Sequence, residues 1–209
     1  VPTYRELLEE VSIYYTKKVL QFGTTPAGVD WNSYESQELR FQQLLKIIKT
    51  PSEHFSFLDY GCGYGSLFKY MQPRFKNFDY LGYDISEEMI KTASEMYRPT
   101  ENMQWKTGLN DSDKKYYVVA SGILNVKQAT PRELWEGFVI DTLNELDRFS
   151  VKGFAFNALT NYTDNENLKD TLYYASPTYL FDFCKKNFSK HVTLLHDYAL
   201  PEFTILVTK

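Results

Sequence analysis

Two hydrophobic rhythms alternate along the chain from Phe55 to its end. Short apolar runs rich in aromatic and β-branched residues predict strands over 55–60, 79–84, 103–107, 117–122, 152–158, 191–197 and 203–208. Between them, apolar positions recur every three to four residues and predict helices over 66–72, 86–97, 131–149 and 177–188, several opened by Ser or Pro. Strands that alternate with helices argue for an α/β fold whose parallel sheet is covered on both faces. The last two strands are joined only by Tyr198-Ala199-Leu200-Pro201-Glu202, which suits an antiparallel hairpin and reverses the seventh strand.

Two helices precede the first strand. Thr3 and Glu6 form a capping-box pattern ahead of Leu7, Leu8, Val11, Tyr14 and Tyr15, with Gly23 as the stop. A loop-like stretch from Thr24 to Trp31 follows, and Asn32 with Glu35 gives a second start before Phe41, Leu44, Leu45 and Ile48, running to about Thr50. Only Gly108 to Lys115 separate the third and fourth strands, too few residues for the usual crossover helix, so a taut loop is expected there. With no repeats and no low-complexity tract, residues 1–209 read as one domain, in which 1–52 form a helical cap and 53–209 the core.

The first strand ends in Asp59-Tyr60-Gly61-Cys62-Gly63-Tyr64-Gly65. Glycines at alternate positions remove the Cβ atoms that would keep a ligand from the backbone, and Ser66 then opens a helix. The second strand ends in Asp84, nineteen residues beyond Gly65, near the spacing at which a carboxylate reaches ribose hydroxyls. A dinucleotide loop reads G-x-G-x-x-G; here Ser66 stands where its last glycine would be, which disfavours a nicotinamide-dependent oxidoreductase.

The acid-x-G-x-G-x-G motif together with Asp84 resembles the class I S-adenosylmethionine-dependent methyltransferases, specifically at these two elements and in general organisation over about residues 30–209. The resemblance implies a doubly wound, Rossmann-like, seven-stranded, mostly parallel sheet with a reversed last strand, two N-terminal helices over the pocket, and S-adenosyl-L-methionine as cofactor. It places Gly61, Cys62, Gly63 and Gly65 along the cofactor, Asp59 near its ammonium, Asp84 on its ribose, and Ile85, Met89 and the Leu109 backbone about its adenine. Ser121 and Gly122 would lie beside the reactive methyl. An Asn/Asp/Ser-Pro-Pro-aromatic motif would mark relatives that methylate amino groups of bases, but the fourth strand leads into Ser121-Gly122-Ile123-Leu124-Asn125.

The substrate side is less specified. Trp31, Asn32, Asn125, Asn157 and Tyr162 belong to segments expected near the acceptor, and Arg40 either meets the cofactor carboxylate or pairs with a Glu on a solvated helix face. No catalytic base is identifiable: His54, His191 and His196 fall before the first strand and in the closing hairpin. A net charge of −4 with scattered lysines lacks the basic face that nucleic-acid phosphates need. No acidic cluster follows the fourth strand, so no metal is expected; two isolated cysteines fit a reducing cytoplasm, and no apolar run approaches a membrane span. These features point to a small-molecule partner and to O-methylation of a small polar metabolite, a sugar or glycan-precursor type. N-methylation of a small amine and a non-catalytic cofactor binder are the alternatives.

Overall fold

Successive residues of β1 (Phe55–Tyr60) feed opposite faces of a sheet, and that alternation divides the hydrophobic interior in two. Leu58 joins Leu81, Val118, Phe154, Phe156 and Ile205 on one face. Phe57 joins Tyr80, Tyr117, Val119, Ala155 and Leu206 on the other. The computed structural model describes residues 4–29, 31, 33–164, 166 and 168–209.

The other strands are β2 (Phe78–Tyr83), β3 (Met103–Lys106), β4 (Lys115–Ala120), β5 (Ser150–Leu159), β6 (His191–Leu195) and β7 (Glu202–Thr208). Their order is β3-β2-β1-β4-β5-β7-β6, parallel throughout except that β7 runs antiparallel to both β5 and β6. The sheet therefore has the expected seven strands with the last one reversed. β1 spans the expected residues and the other strands differ from the periodicity by a residue or two at one or both ends; one difference matters, because β4 stops at Ala120, which frees Ser121 and Gly122 from the ladder.

Helices α3 (Ser66–Met71), α4 (Glu87–Met96), α5 (Arg132–Phe149) and α6 (Pro177–Asn187) cover the sheet. Trp135, Val139, Leu143 and Leu146 recur at helical spacing on α5, all essentially inaccessible, and set it against the first core. Two helices precede the sheet, α1 (Tyr4–Phe22) and α2 (Tyr34–Leu44). Thr3 and Asn32, two of the expected starting signals, lie outside the described residues; α2 is capped by Ser33, whose Oγ accepts from the Ser36 amide at 3.1 Å. It ends earlier than the periodicity suggests, tightening into a 3-10 turn at Leu45–Ile47 where Leu44, Leu45, Ile47 and Ile48 are all buried.

The β3 to β4 connection has only the 3-10 turn Asp111–Asp113, closed by a capping box between Asn110 and Asp113. The chain must pass three strand spacings sideways and about five residues back, roughly 22 Å at standard sheet dimensions, so eight extended residues suffice without a helix. Lys106 pairs with the buried Asp113, and Arg148 with Asp111, which pins the loop at both ends.

Gly82 shows how tightly the second core is filled: a Cβ there would come within 2.3 Å of the Trp105 ring and 3.0 Å of Cys62 Sγ. Gly82→Ala is expected to destabilise the fold by about 1–3 kcal/mol, the usual cost of overpacking. Urea unfolding measures it, and an unchanged midpoint would contradict the packing described.

Candidate active-site cleft

The glycine loop is held across the end of β2 by the chain's own backbone. The Gly61 and Cys62 amides both donate to the Tyr83 carbonyl, at 2.7 and 2.9 Å. Two bonds to one carbonyl force a sharp reversal, and Gly61 takes φ +82°, a left-handed conformation costly for any other residue. A Cβ there would also lie 2.4 Å from Ile123 Cγ2. Gly63 and Gly65 are left-handed too, and Gly65 leads directly into α3.

Two carboxylates sit at this turn. Asp84, immediately after β2, accepts the Gly63 amide on Oδ2 and the Ser86 amide on Oδ1, each at 2.9 Å. Burial raises its pKa, with the two amide bonds pulling the other way. Each oxygen still has a lone pair for a further donor. Asp59, at the end of β1, is 2% exposed and accepts the Tyr80 hydroxyl at 2.5 Å. Loss of solvent pushes its pKa up to about 7; the Tyr80 bond opposes this and the charge of Asp84 adds to it. Burial also pushes the Cys62 thiol well up, so it is packing rather than a nucleophile.

Above the turn lies a cleft with about 800 Å³ of empty space counted out to its solvent-open mouth. Asp84, Ile85 and Met89 form one wall, and Leu8, Val11 and Tyr15 of α1 face into it. The α1 helix is fastened there by Ser12 Oγ donating to the Ile85 carbonyl at 3.3 Å and by a 2.7 Å bond between Thr16 and Ser86 hydroxyls. A second, smaller lobe reaches under the loop to Asp59, Cys62 and Ser66. Gly61, Gly63, Val29, Trp31 and Ser121 line both lobes.

A buried polar chain supports the far side. Arg40 grips Glu202 with Nε at 2.9 Å from both carboxylate oxygens and Nη2 at 2.5 Å from Oε1. Asn157 Nδ2 donates to Glu202 Oε2 at 2.6 Å, and its Oδ1 accepts the Gly122 amide at 2.8 Å. The Arg40 guanidinium stacks on the Trp31 ring at 3.9 Å. Gly122, at φ +77°, lies so close to that indole that a Cβ would come within 2.1 Å of Trp31 Cζ2. Among the described residues, only Arg40 Nη1 and Ser121 Oγ are buried side-chain polar atoms without a hydrogen-bond partner.

The sequence candidates separate accordingly. Asp59, Gly61, Cys62, Gly63, Asp84, Ile85, Met89, Ser121, Gly122 and Trp31 all line the cleft. Gly65 lies behind it against Trp105 and Tyr97, and Leu109 packs on the first core. Asn125 is buried with its Oδ1 on the Leu159 amide, Asn157 serves the polar chain, and Tyr162 is 67% exposed, stacked on His196. None of these three lines either lobe. Asn32 lies outside the described residues. Arg40 does pair with a Glu, but not on a solvated face: its side chain is 6% exposed and its partner's 1%. Sequence reasoning missed Glu202, whose only signal is an acid opening an apolar strand. It also missed the inward stripe Leu8, Val11 and Tyr15, which helical spacing carries. No group of metal-ligating side chains occurs among the described residues, and no helix there is long and apolar enough to cross a membrane.

Comparison with known proteins gives this cleft a context. The family described as "Methyltransferase domain" matches residues 57–131, from β1 through the loop after β4. Rv1506c of Mycobacterium tuberculosis (strain ATCC 25618 / H37Rv), a protein named as a methyltransferase, is 43% identical over 162 residues, covering 78% of this chain and 98% of its own. The fold is shared with DhpI in complex with SAH, at a TM-score of 0.64 and 13% identity over 98% of this chain and 97% of that one. It is also shared with the N-methyltransferase NodS of Bradyrhizobium japonicum WM9 in complex with S-adenosyl-L-homocysteine, at 0.63 and 13% over 95% and 97%. With that sequence identity, this topology and a bare loop ending β1 beside Asp84, the chain belongs to the class I S-adenosylmethionine-dependent methyltransferases.

Proposed function

We propose that the enzyme methylates a small polar metabolite, at oxygen, using the cleft between α1 and the glycine loop for S-adenosylmethionine. The observation that carries this is the shape of the cleft: α1 and Trp31 close it from above, leaving space for a small acceptor rather than a groove for a polymer. The net charge of −4 agrees, since it offers no attraction to phosphate chains. Of the residues assigned to the acceptor, Trp31 lines both lobes while Asn125, Asn157 and Tyr162 line neither, so the polar preference rests on Ser121. A second reading, N-methylation, draws support from NodS, an N-methyltransferase of the same fold.

The residues present fit the cofactor. Asp84 has lone pairs for ribose hydroxyls beyond its two amide bonds, and Ile85 and Met89 flank the space an adenine would take. Asp59 supplies the charge for the ammonium. Bound S-adenosylmethionine supplies a sulfonium methyl, whose transfer to the acceptor leaves a neutral thioether. The protein's part is then alignment and exclusion of water rather than acid catalysis. The α1 helix acts as a cap over both partners, held down through Ser12 and Thr16.

Asp84→Ala should weaken S-adenosylhomocysteine binding tenfold or more, the loss of one or two charge-assisted bonds worth about 1.5–3 kcal/mol each. Calorimetry decides, and unchanged affinity would remove Asp84 from the ribose site.

Asp59 gives a pH signature. Its folded pKa of about 7 lies above the ordinary 3.8, so its contribution favours the folded state below the unfolded pKa and is lost as pH rises through 7. Asp59→Asn is therefore expected to raise the melting temperature of the ligand-free protein at pH 8 and to leave it unchanged near pH 4. Because an ammonium favours the ionised carboxylate, wild-type affinity for S-adenosylhomocysteine should climb from pH 6 to 8, while Asp59→Asn flattens that slope. A wild-type affinity that ignores pH over this range would contradict the assignment.

The acceptor class is tested by offering labelled cofactor to polar metabolite and glycan-precursor pools beside phenols, amines, RNA and peptides. Label should enter hydroxylated small molecules. Transfer chiefly to RNA or peptide would overturn the reading.

A further inference from the structure

We propose that Arg40, Glu202 and Asn157 are positioning residues that clamp the Gly122 amide and thereby aim the Ser121 hydroxyl at the methyl acceptor. This rests on the methyl-transfer reading of the cleft, and it moves Ser121 from the cofactor side to the acceptor side.

Arg40 donates three contacts to one carboxylate, so Glu202 is the acceptor in each. Facing that carboxylate, the Asn157 amide has one stable orientation: its NH₂ toward Glu202 Oε2 at 2.6 Å, and therefore its oxygen outward. That oxygen takes the Gly122 N–H at 2.8 Å. The charge pair thus dictates which way an amide points two bonds away, and the amide fixes the first turn after β4. The reach is long in sequence: 162 residues separate Arg40 from Glu202 and 35 separate Gly122 from Asn157.

What is held in place is Ser121, whose hydroxyl is, among the described residues lining the cleft, the buried side-chain polar group without a hydrogen-bond partner. Ser121 lines both lobes, its Oγ is buried, and it has no partner. A hydroxyl in that state costs free energy unless a ligand engages it. The cofactor-facing groups cluster at the ends of β1 and β2, where Asp59, Gly63 and Asp84 are bonded. Ser121 instead follows β4, and the chain that braces it comes from β5 and β7, on the other side of the sheet centre. An acceptor O–H or N–H donating to Ser121 Oγ would direct its lone pair across the junction of the lobes. The same chain anchors Trp31 through the guanidinium stack, so the wall above the acceptor and the hydroxyl below it share one support. No covalent step is asked of Ser121.

Ser121→Ala removes a buried unpaired group and should fold normally. Its affinity for S-adenosylhomocysteine is expected within twofold of wild type by calorimetry, while turnover of whichever acceptor the screen yields falls at least tenfold. Glu202→Gln frees the Asn157 amide to turn; amide exchange at Gly122 should quicken and turnover fall, again with cofactor affinity retained. Combining Asn157→Asp with Glu202→Gln reverses the polarity of that link, gives the Gly122 N–H a carboxylate oxygen in place of the amide oxygen, and should restore much of the lost protection and turnover. A loss of S-adenosylhomocysteine affinity in Ser121→Ala matching the loss of turnover would return Ser121 to the cofactor and overturn the proposal. So would wild-type Gly122 exchange in Glu202→Gln, or a double variant no better than that single one. If no acceptor is found, the methyl-transfer reading fails on its own, and the affinity and exchange measurements still judge the clamp.

Discussion

Everything at the mouth of the sheet depends on one fastening: the end of β1 must turn back over the end of β2 with no side chain in the way. The Tyr83 carbonyl takes two amides of the turn, and the Asp84 carboxylate takes a third from Gly63. These bonds hold the loop open and rigid and leave bare backbone along the cleft. Preorganisation of this kind lowers the ordering cost of binding, because the loop does not have to find its shape around the ligand. It also explains why glycine is required at Gly61 for two separate reasons, the left-handed backbone and the Ile123 methyl that would meet a Cβ.

The same fastening concentrates negative charge in a dry place. Asp59 is buried and Asp84 half-buried beside it, and the Asp84 charge adds to the cost of ionising Asp59, with Cys62 packed between loop and sheet. Such an arrangement is poor for stability alone, since a buried carboxylate with pKa near 7 opposes folding at neutral pH. It is well suited to a cationic ligand, whose charge restores the balance when it arrives. Arg40 and Glu202 follow the opposite logic: both charges are buried, but each is the other's partner, and the spare Nη1 remains. Replacing a buried pair by apolar residues often costs little, whereas its geometry fixes neighbouring groups in a way apolar packing does not.

The elements nearest the cofactor were the most legible in the sequence, because their signals are local. A strand, three alternate glycines and Asp84 at the next strand end fall within 30 residues, and backbone constraints at Gly61 leave little choice of residue. The mostly parallel sheet and the reversed β7 followed from alternation and from the short link that ends at Glu202, whereas the order of the strands did not. The acceptor side was not legible, since its organisation depends on contacts across the whole chain. Asn157 looked like a loop-end ligand but belongs to the last residues of the β5 ladder, inaccessible and committed to Glu202. Arg40 has the spacing of a surface residue on an amphipathic helix, and only the tertiary docking of α2 on β7 buries it. Tyr162 is polar-aromatic, as an acceptor contact would be, yet it sits in the open against His196. Residue type alone cannot distinguish these situations.

The central claim is that the cofactor lies between α1 and the glycine loop with its ribose on Asp84. A crystal structure with S-adenosylhomocysteine tests it most directly. The account predicts ribose hydroxyls within hydrogen-bond distance of both Asp84 oxygens, adenine against Ile85 and Met89, and the amino group facing Asp59. A ligand bound elsewhere, or an Asp84 carboxylate still bonded only to the Gly63 and Ser86 amides with the ligand in place, would contradict it.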